Sequence, residues 1–214
     1  MIGMNKNKVI FLGAGGYAKS ALDSLDHAEY EFCGFIDKFK PIGSEHLGYP
    51  IVASDLESFV ERDKYHYFIS IGDNEHRLEK YQILMNYQCK LISIIDKSAL
   101  ISRFTRIGRS VYIGKMAIIN GDSQIGDNCI INSKTLIEHG CKIANHCNIS
   151  TNVTINGDVT IDELSFIGSS SVFNGQLHIG RNVTVGSGSV VIRSIQDNLV
   201  VAGVPARVIR NKNV

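Results

Sequence analysis

The stretch VYIGKMAIINGDSQIGDNCIINSKTLIEHGCKIANHCNIS, residues 111–150, decides the fold. An isoleucine recurs at every sixth position through it, and a hydrophobic residue keeps the same register on both sides. The full series has fifteen members without an insertion: Ile107, Ile113, Ile119, Ile125, Ile131, Ile137, Ile143, Ile149, Ile155, Ile161, Ile167, Phe173, Ile179, Val185 and Val191. In a chain that is 44% hydrophobic, such a series arises by chance with a probability of about 10⁻⁵ or less. The period is that of a hexapeptide repeat, which indicates a parallel β-helix.

The repeat also predicts which side chains face inward. Side chains two residues apart on a strand share a face, so the mostly small residue two positions before each hydrophobic residue should also point into the core. Glycine and asparagine at the corners, such as Gly108, Gly114, Gly126 and Asn132, are expected to adopt left-handed backbone angles. Three hexapeptides make one triangular coil, so residues 18 apart should stack.

One corner of the predicted stack is exceptional. Asn120-Gly121, Asn156-Gly157 and Asn174-Gly175 occupy the same place in three coils. The coil between the first two carries Glu138-His139 there. The other coils serve as an internal control, and they mark this pair as a candidate functional site.

The N-terminal part has a different period, in which strands alternate with helices. This alternation predicts a small parallel α/β sheet. The two periods therefore predict an α/β domain over residues 1–97 followed by a parallel β-helix over residues 98–214. The predicted strands are 8–12, 31–37, 65–72 and 89–95, and the predicted helices are 17–27, 55–62 and 73–87.

Composition excludes several classes of function. The formal net charge is +1, which does not favour binding to nucleic acid or to an anionic membrane. The hydrophobic runs are far shorter than a membrane span, and the N-terminal apolar run that ends in glycines is interpreted as a strand and not as a secretory signal. Five cysteines without a CxxC pattern favour a reducing cytoplasm.

Motifs along nearly the whole chain resemble one known family. They are FLGAGGYAK (11–19), FID (35–37), ISIGDNEHR (69–77), DKSALIS (96–102), IINSKTLIEHGCKI (130–143) and VVAGVPARVI (200–209). The chain resembles the left-handed β-helix sugar acetyltransferases, in the branch of the sialic-acid O-acetyltransferases and bacterial nucleotide-aminosugar N-acetyltransferases. The resemblance implies a Rossmann-like N-terminal domain over residues 1–97 followed by a left-handed parallel β-helix over residues 98–214. It also implies a homotrimer with active sites between subunits and direct acetyl transfer from acetyl-CoA. It favours a nucleotide-linked amino sugar as acceptor, a 4-amino-4,6-dideoxyhexose of a surface glycan such as O-antigen, with sugar O-acetylation as the alternative.

The resemblance also assigns catalytic residues. His139 matches the family's histidine, and an imidazole that titrates near neutral pH suits the removal of a proton from an ammonium group. The family has an acid after this histidine to orient it, whereas this chain has Gly140, so Glu138 is the alternative partner. Some members have a second histidine nine residues later, at a position that is Asn148 here. Asn148 can still donate a hydrogen bond to the thioester oxygen, and His146 is a further candidate.

Substrate and cofactor residues are implied in the same way. For the nucleotide sugar these are Gly13, Gly15, Gly16, Tyr17, Asp37 and Lys38. Asp37 follows the glycines by about 20 residues, where a ribose-binding acid belongs. For acetyl-CoA they are Gly157, Ser169, Ser187 and Arg207, with Arg210 as a further candidate for the CoA phosphates.

Three other interpretations are open. Cys141 could be a nucleophile that forms an acyl-enzyme, although its inward position favours packing. A metal hydratase of the γ-carbonic-anhydrase type needs histidines that converge on a metal ion, and His139, His146 and His178 are not spaced as paired ligands, so no metal is expected. A non-catalytic sugar-binding scaffold is the third.

Overall fold

The computed structural model describes residues 6–212. The chain divides into two compact units, Met1–Ile94 and Ile95–Val214, whereas the predicted boundary followed residue 97. Residues 1–5 and 213–214 belong to the predicted domain ranges but lie outside the described residues.

The N-terminal unit is built around one sheet. Its strands are β1 (Asn7–Leu12), β2 (Tyr30–Ile36), β3 (Glu45–His46), β4 (Tyr49–Ala53), β5 (His66–Ile69) and β6 (Lys90–Leu91), and its helices are α1 (Gly16–Asp23) and α2 (Asn74–Asn86). The strand order is β3-β4-β2-β1-β5-β6, and every pair is parallel except β3 with β4. The central strand β1 is hydrophobic and buried from Val9 to Leu12, as a parallel sheet covered on both faces requires. Within the residues that the structure describes, no helix has the length and hydrophobicity needed to cross a membrane.

The helix predicted over residues 55–62 is wrong. The segment forms turns and ends in a short 3-10 helix, Arg62–Lys64. Asp55 does act as a cap, since its Oδ1 accepts a hydrogen bond from the Ser58 N–H at 2.8 Å, but the cap closes a single turn. The Arg62 guanidinium then donates to the carbonyl oxygens of Leu56, Glu57 and Phe59 at 3.0–3.2 Å. These are carbonyls that a continuing helix would have used for its own backbone hydrogen bonds.

The second unit consists of short strands that recur every six residues from β7 to β23, followed by two longer strands, β24 and β25. They are β7 (Ile94–Ile95), β8 (Leu100–Ile101), β9 (Arg106–Ile107), β10 (Tyr112–Ile113), β11 (Ile118–Ile119), β12 (Gln124–Ile125), β13 (Ile130–Ile131), β14 (Leu136–Ile137), β15 (Lys142–Ile143), β16 (Asn148–Ile149), β17 (Thr154–Ile155), β18 (Thr160–Ile161), β19 (Phe166–Ile167), β20 (Val172–Phe173), β21 (His178–Ile179), β22 (Thr184–Val185), β23 (Val190–Val191), β24 (Leu199–Gly203) and β25 (Ala206–Asn211). Face 1 comprises β7, β10, β13, β16, β19, β22, β24 and β25; face 2 comprises β8, β11, β14, β17, β20 and β23; face 3 comprises β9, β12, β15, β18 and β21.

The register within each face confirms the predicted stacking. Ile137 pairs in parallel with Ile119 and with Ile155, each 18 residues away. The inward residues are buried, and the small polar ones among them are satisfied by hydrogen bonds to the backbone. Ser123 Oγ donates to the Glu138 carbonyl oxygen at 2.8 Å, and Thr135 Oγ1 donates to that of Ser150 at 3.0 Å. These bonds remove the penalty of burying a hydroxyl in the core.

The corner glycines do not have the predicted role. Left-handed backbone angles occur three residues after each hydrophobic residue of the series, from Ile107 to Val185. Gly108, Gly114, Gly126 and Asn132 precede those positions. The residues with these angles are Ser110, Met116, Asp122, Asn128, Lys134, Gly140, His146, Asn152, Asp158, Leu164, Ser170, Gln176, Asn182 and Gly188. Gly108, Gly114 and Gly126 are small for a steric reason, because a Cβ there would overlap the backbone of the next coil.

Candidate active site

His139 lies at the corner between faces 2 and 3. Residues 18 apart stack on one another at this corner and form a column, in the register set by Ile119, Ile137, Ile155 and Phe173. In this column His139 follows Gly121 of the coil before and precedes Gly157 and Gly175 of the two coils after. Successive coils are about 4.8 Å apart. The side chain of His139 is exposed and is flanked in this column by glycines, so solvent and ligands can reach it.

The imidazole of His139 leans onto Gly157. A Cβ built on Gly157 would lie 2.5 Å from His139 Nδ1, and closer still to Cε1. The ring therefore uses the space that glycine leaves free in the next coil. In residues 6–212 the ring has no hydrogen-bond or ion-pair partner, and the Gly157 N–H has no acceptor.

Glu138 is directed to the preceding coil. Its Oε2 accepts a hydrogen bond from Asn120 Nδ2 at 2.9 Å, and its side chain is half-buried. The structure places no hydrogen bond between Glu138 and His139 within residues 6–212. The role of Glu138 as the partner of His139 stays a prediction.

Asn148 and His146 lie elsewhere on the same coil. Asn148 is on β16 of face 1, opposite the corner that carries His139, and is 7% exposed. His146 is at the corner between faces 3 and 1, 8% exposed, with Nδ1 at 3.0 Å from Asn128 Nδ2. Within one chain neither is beside His139, so a shared role at one thioester requires two copies.

Cys141 is packed in the core. It is 0% exposed, and its Sγ donates to the Asn156 carbonyl oxygen at 3.2 Å. Burial raises the pKa of the thiol, and the negative charges of Asp158 and Glu138 raise it further. A nucleophilic cysteine needs the thiolate, so this environment opposes an acyl-enzyme at Cys141.

The six predicted substrate residues line one cavity of the N-terminal unit, with a volume of about 410 Å³. The Asp37 carboxylate connects two segments next to the cavity. Its Oδ2 accepts a hydrogen bond from the Ala14 N–H at 2.7 Å, and its Oδ1 accepts one from the Phe39 N–H at 2.9 Å. Gly13 has a φ of +101°, and a Cβ there would lie 2.8 Å from Ile71 Cγ1. Glycine is therefore required at this position.

The N-terminus of α1 is open toward the same cavity. Gly15 caps this helix without a side chain, no acid lies in its first turn, and a Cβ on Gly15 or Gly16 would meet open space. Uncapped N–H groups and the helix dipole favour an anionic group there. His76 and Lys80 also line the cavity, and neither is among the residues predicted from the sequence. Their spacing of four residues on α2 was the available signal, because it places both on one side of the helix.

The predicted cofactor residues are distributed over three places. Gly157 is in the His139 column, whereas Ser169 and Ser187 stack at the corner between faces 1 and 2. Arg207 is exposed on β25 and lines a cavity of about 410 Å³ with Arg193, which the sequence analysis did not name. Within residues 6–212, no group of three or more His, Cys, Asp or Glu side chains is arranged to hold a metal ion.

Comparison with known proteins agrees with both halves of the fold. The family described as "PglD N-terminal domain" matches residues 8–84, and the family described as "Bacterial transferase hexapeptide (six repeats)" matches residues 104–139. The crystal structure of PerB from Caulobacter crescentus, in complex with CoA and GDP-perosamine, is 30% identical over 94% of this chain and 97% of that chain, with a TM-score of 0.87. The chain belongs to the hexapeptide-repeat sugar acetyltransferase family.

Two further family members show the same architecture. A variant of perosamine N-acetyltransferase from Caulobacter crescentus, with CoA and GDP-perosamine, is 29% identical over 96% of this chain and 98% of that chain, with a TM-score of 0.91. The acetyltransferase domain of PglB from Neisseria gonorrhoeae, with acetyl coenzyme A, is 26% identical over 96% of this chain and all of that chain, with a TM-score of 0.88. The predicted fold class, a Rossmann-like domain followed by a left-handed parallel β-helix, is confirmed, and so is the prediction of an acetyl-CoA-dependent acetyltransferase.

Proposed function

We propose that this enzyme transfers the acetyl group of acetyl-CoA directly to the amine of a nucleotide-linked amino sugar, with His139 as the general base. The observation that carries the proposal is the position of His139 between the glycines of the neighbouring coils, with its imidazole seated on Gly157. It occurs in a chain whose relatives bind CoA and GDP-perosamine. A GDP-linked 4-amino-4,6-dideoxyhexose is therefore the first acceptor to test.

The chemistry requires one proton acceptor. The amine lone pair attacks the thioester carbonyl, the carbon–sulfur bond breaks, and the amine proton passes to His139. The departing CoA thiolate then takes a proton from the imidazolium of His139, which restores the neutral base. A neutral imidazole can accept the amine proton near pH 7, and the buried thiol of Cys141 takes no part.

The Gly157 N–H is a donor for the oxygen that becomes negative during attack. It has no acceptor among the described residues and lies directly beside the imidazole. Such preorganised donors stabilise a tetrahedral intermediate. Asn148, on face 1, is proposed to reach the same thioester from a neighbouring copy.

The N-terminal cavity is proposed to hold the nucleotide sugar. The open N-terminus of α1 at Gly15 and Gly16 suits the diphosphate, and Lys38 adds a positive charge. Asp37 already accepts two backbone N–H groups. A carboxylate has about four lone-pair sites, so Asp37 can also accept a ribose hydroxyl.

Acetyl-CoA is proposed to run along the coils, with its thioester at Gly157. Ser169 and Ser187 offer backbone contacts to the pantetheine arm, and Arg207 offers a charge for the CoA phosphates. The corner that carries the two serines is separated from His139 by face 2. Two copies of the chain would bring the two corners into one site.

A homotrimer is proposed on the basis of face 2. Its outward row, Leu100, Ile118, Leu136, Thr154, Val172 and Val190, is almost entirely hydrophobic, and Leu100 is 65% exposed. An exposed stripe of this kind marks a protein interface. A cytoplasmic location is proposed because all five cysteines are free thiols, as is usual in a reducing compartment.

The test is a thiol-release assay with acetyl-CoA and a panel of GDP-, UDP- and dTDP-linked 4-amino sugars, each beside the matched hydroxy sugar. The expected result is saturable release with one amino sugar and none with its hydroxy counterpart. Replacing His139 with Ala should lower turnover by about 10² or more, whereas His178→Ala, a change at another exposed histidine, should not. Release with the hydroxy sugars alone would show an O-acetyltransferase, and no release with any acceptor would reject the proposal.

A further inference from the structure

The imidazole of His139 has no partner in residues 6–212, although a general base in acyl transfer is normally oriented by a third group. The charged side chains on the corner and on its two neighbouring coils are Asp122, Glu138, Lys142 and Asp158. Burial raises the pKa of the Cys141 thiol. The negative charges of Asp158 and Glu138 raise the same pKa further, so both carboxylates are close to this thiol. Two carboxylates therefore lie near this corner.

Glu138 and the imidazole point in opposite directions along the column. The carboxylate of Glu138 is held at 2.9 Å by Asn120, in the coil before His139. The imidazole rests on Gly157, in the coil after it. To meet the imidazole, Glu138 would have to give up the hydrogen bond from Asn120.

Asp158 lies on the side toward which the imidazole leans. It follows Gly157 in the same coil, and its N–H donates to the His139 carbonyl oxygen at 2.9 Å. A Cβ built on Gly140 would overlap Asp158 Oδ1, and Asp158 Cγ is 3.3 Å from that point. The carboxylate thus fills the space in which a side chain of residue 140, the residue after His139, would begin.

We infer that Asp158 is the positioning residue for His139, supplying from the next coil the carboxylate that Gly140 lacks. The inference rests on the proposed function, in which His139 takes a proton and becomes positively charged. Asp158 is exposed and its side chain makes no hydrogen bond within residues 6–212, so its rotation toward the imidazole would break no hydrogen bond. Catalytic hydrogen bonds of this kind commonly tighten only when substrate is bound.

The first variant to measure is Asp158→Gly. Residue 158 has a φ of +60°, which glycine adopts without strain, so the change removes the carboxylate and leaves the backbone in place. Asp122→Gly is the matched control, since Asp122 has the same φ at the equivalent position one coil before His139. For Asp158→Gly, kcat should fall by about 10- to 100-fold while the KM for acetyl-CoA stays within about twofold.

The split between kcat and KM gives a readout that a structural role would not move. Loss of a positioning carboxylate should lower kcat alone in Asp158→Gly, whereas a disturbed corner would also raise the KM for acetyl-CoA. Asp122→Gly should leave both kinetic constants in place.

Relocation of the carboxylate completes the test. Aspartate is already accepted at this left-handed corner position in the coils before and after, so Gly140→Asp can be added to Asp158→Gly. The double variant should recover about tenfold or more of the lost kcat. The inference is overturned if Asp158→Gly matches Asp122→Gly, if relocation restores nothing in a folded protein, or if Glu138→Gln alone reproduces the loss of kcat. An inactive wild-type enzyme would instead contradict the proposed function, independently of Asp158.

Discussion

Gly157→Ala is expected to displace the imidazole of His139 without disturbing the β-helix. The added Cβ would lie 2.5 Å from His139 Nδ1, whereas an ordinary carbon–nitrogen contact is about 3.5 Å. The ring must therefore move by about 1 Å. A misplacement of this size costs about 10²-fold in rate, or about 2.7 kcal/mol of transition-state stabilisation.

The assay is kcat at saturating acetyl-CoA and amino sugar, with thermal unfolding measured in parallel. Gly121→Ala is the control, because it lies in the same column and its Cβ would meet only Ser102 Oγ, at an ordinary 3.5 Å. Gly157→Ala should lose about 10²-fold in kcat, and Gly121→Ala should keep the wild-type rate. Equal kcat values for the two variants, both folded, would refute the steric argument.

Three further predictions concern other parts of the molecule. Gly13→Ala should destabilise the N-terminal unit by about 1–3 kcal/mol in urea unfolding, because φ is +101° there, whereas Gly15→Ala should be nearly neutral; equal effects would contradict this reasoning. Ile118→Asp, on the outward row of face 2, should dissociate the proposed trimer in sedimentation experiments and lower activity with it; an unchanged sedimentation coefficient would exclude face 2 as the interface. Arg193→Ala and Arg207→Ala should each raise the KM for acetyl-CoA about tenfold through loss of a charge-assisted hydrogen bond, and an unchanged KM would place the CoA phosphates elsewhere.

The sequence predicted the stacking of the β-helix because one physical requirement repeats without interruption. Each inward residue from Ile107 to Val191 must fill the same core, so the register of Ile119, Ile137 and Ile155 follows from the period alone. The corner that carries His139 could be located for the same reason.

Other features depend on interactions that a local pattern does not contain. The capping signal at Asp55 is the same for a single turn and for a helix. The segment does not continue as a helix because Arg62 donates hydrogen bonds to the nearby carbonyl oxygens. Left-handed angles fall on residues as varied as Met116 and Leu164, because the position in the coil imposes them and not the residue type. The place of Asp158 over Gly140 depends on side-chain directions across two coils, and this was visible only in the structure.

His139 is proposed to be the base for acetyl transfer to a nucleotide-linked amino sugar. The most direct measurement compares kcat of His139→Ala with that of wild type on the accepted amino sugar, with the N-acetylated product identified by mass spectrometry. We expect a loss of about 10² or more in a variant that keeps the wild-type thermal unfolding and still binds acetyl-CoA. Turnover close to wild type in a folded His139→Ala variant would contradict it.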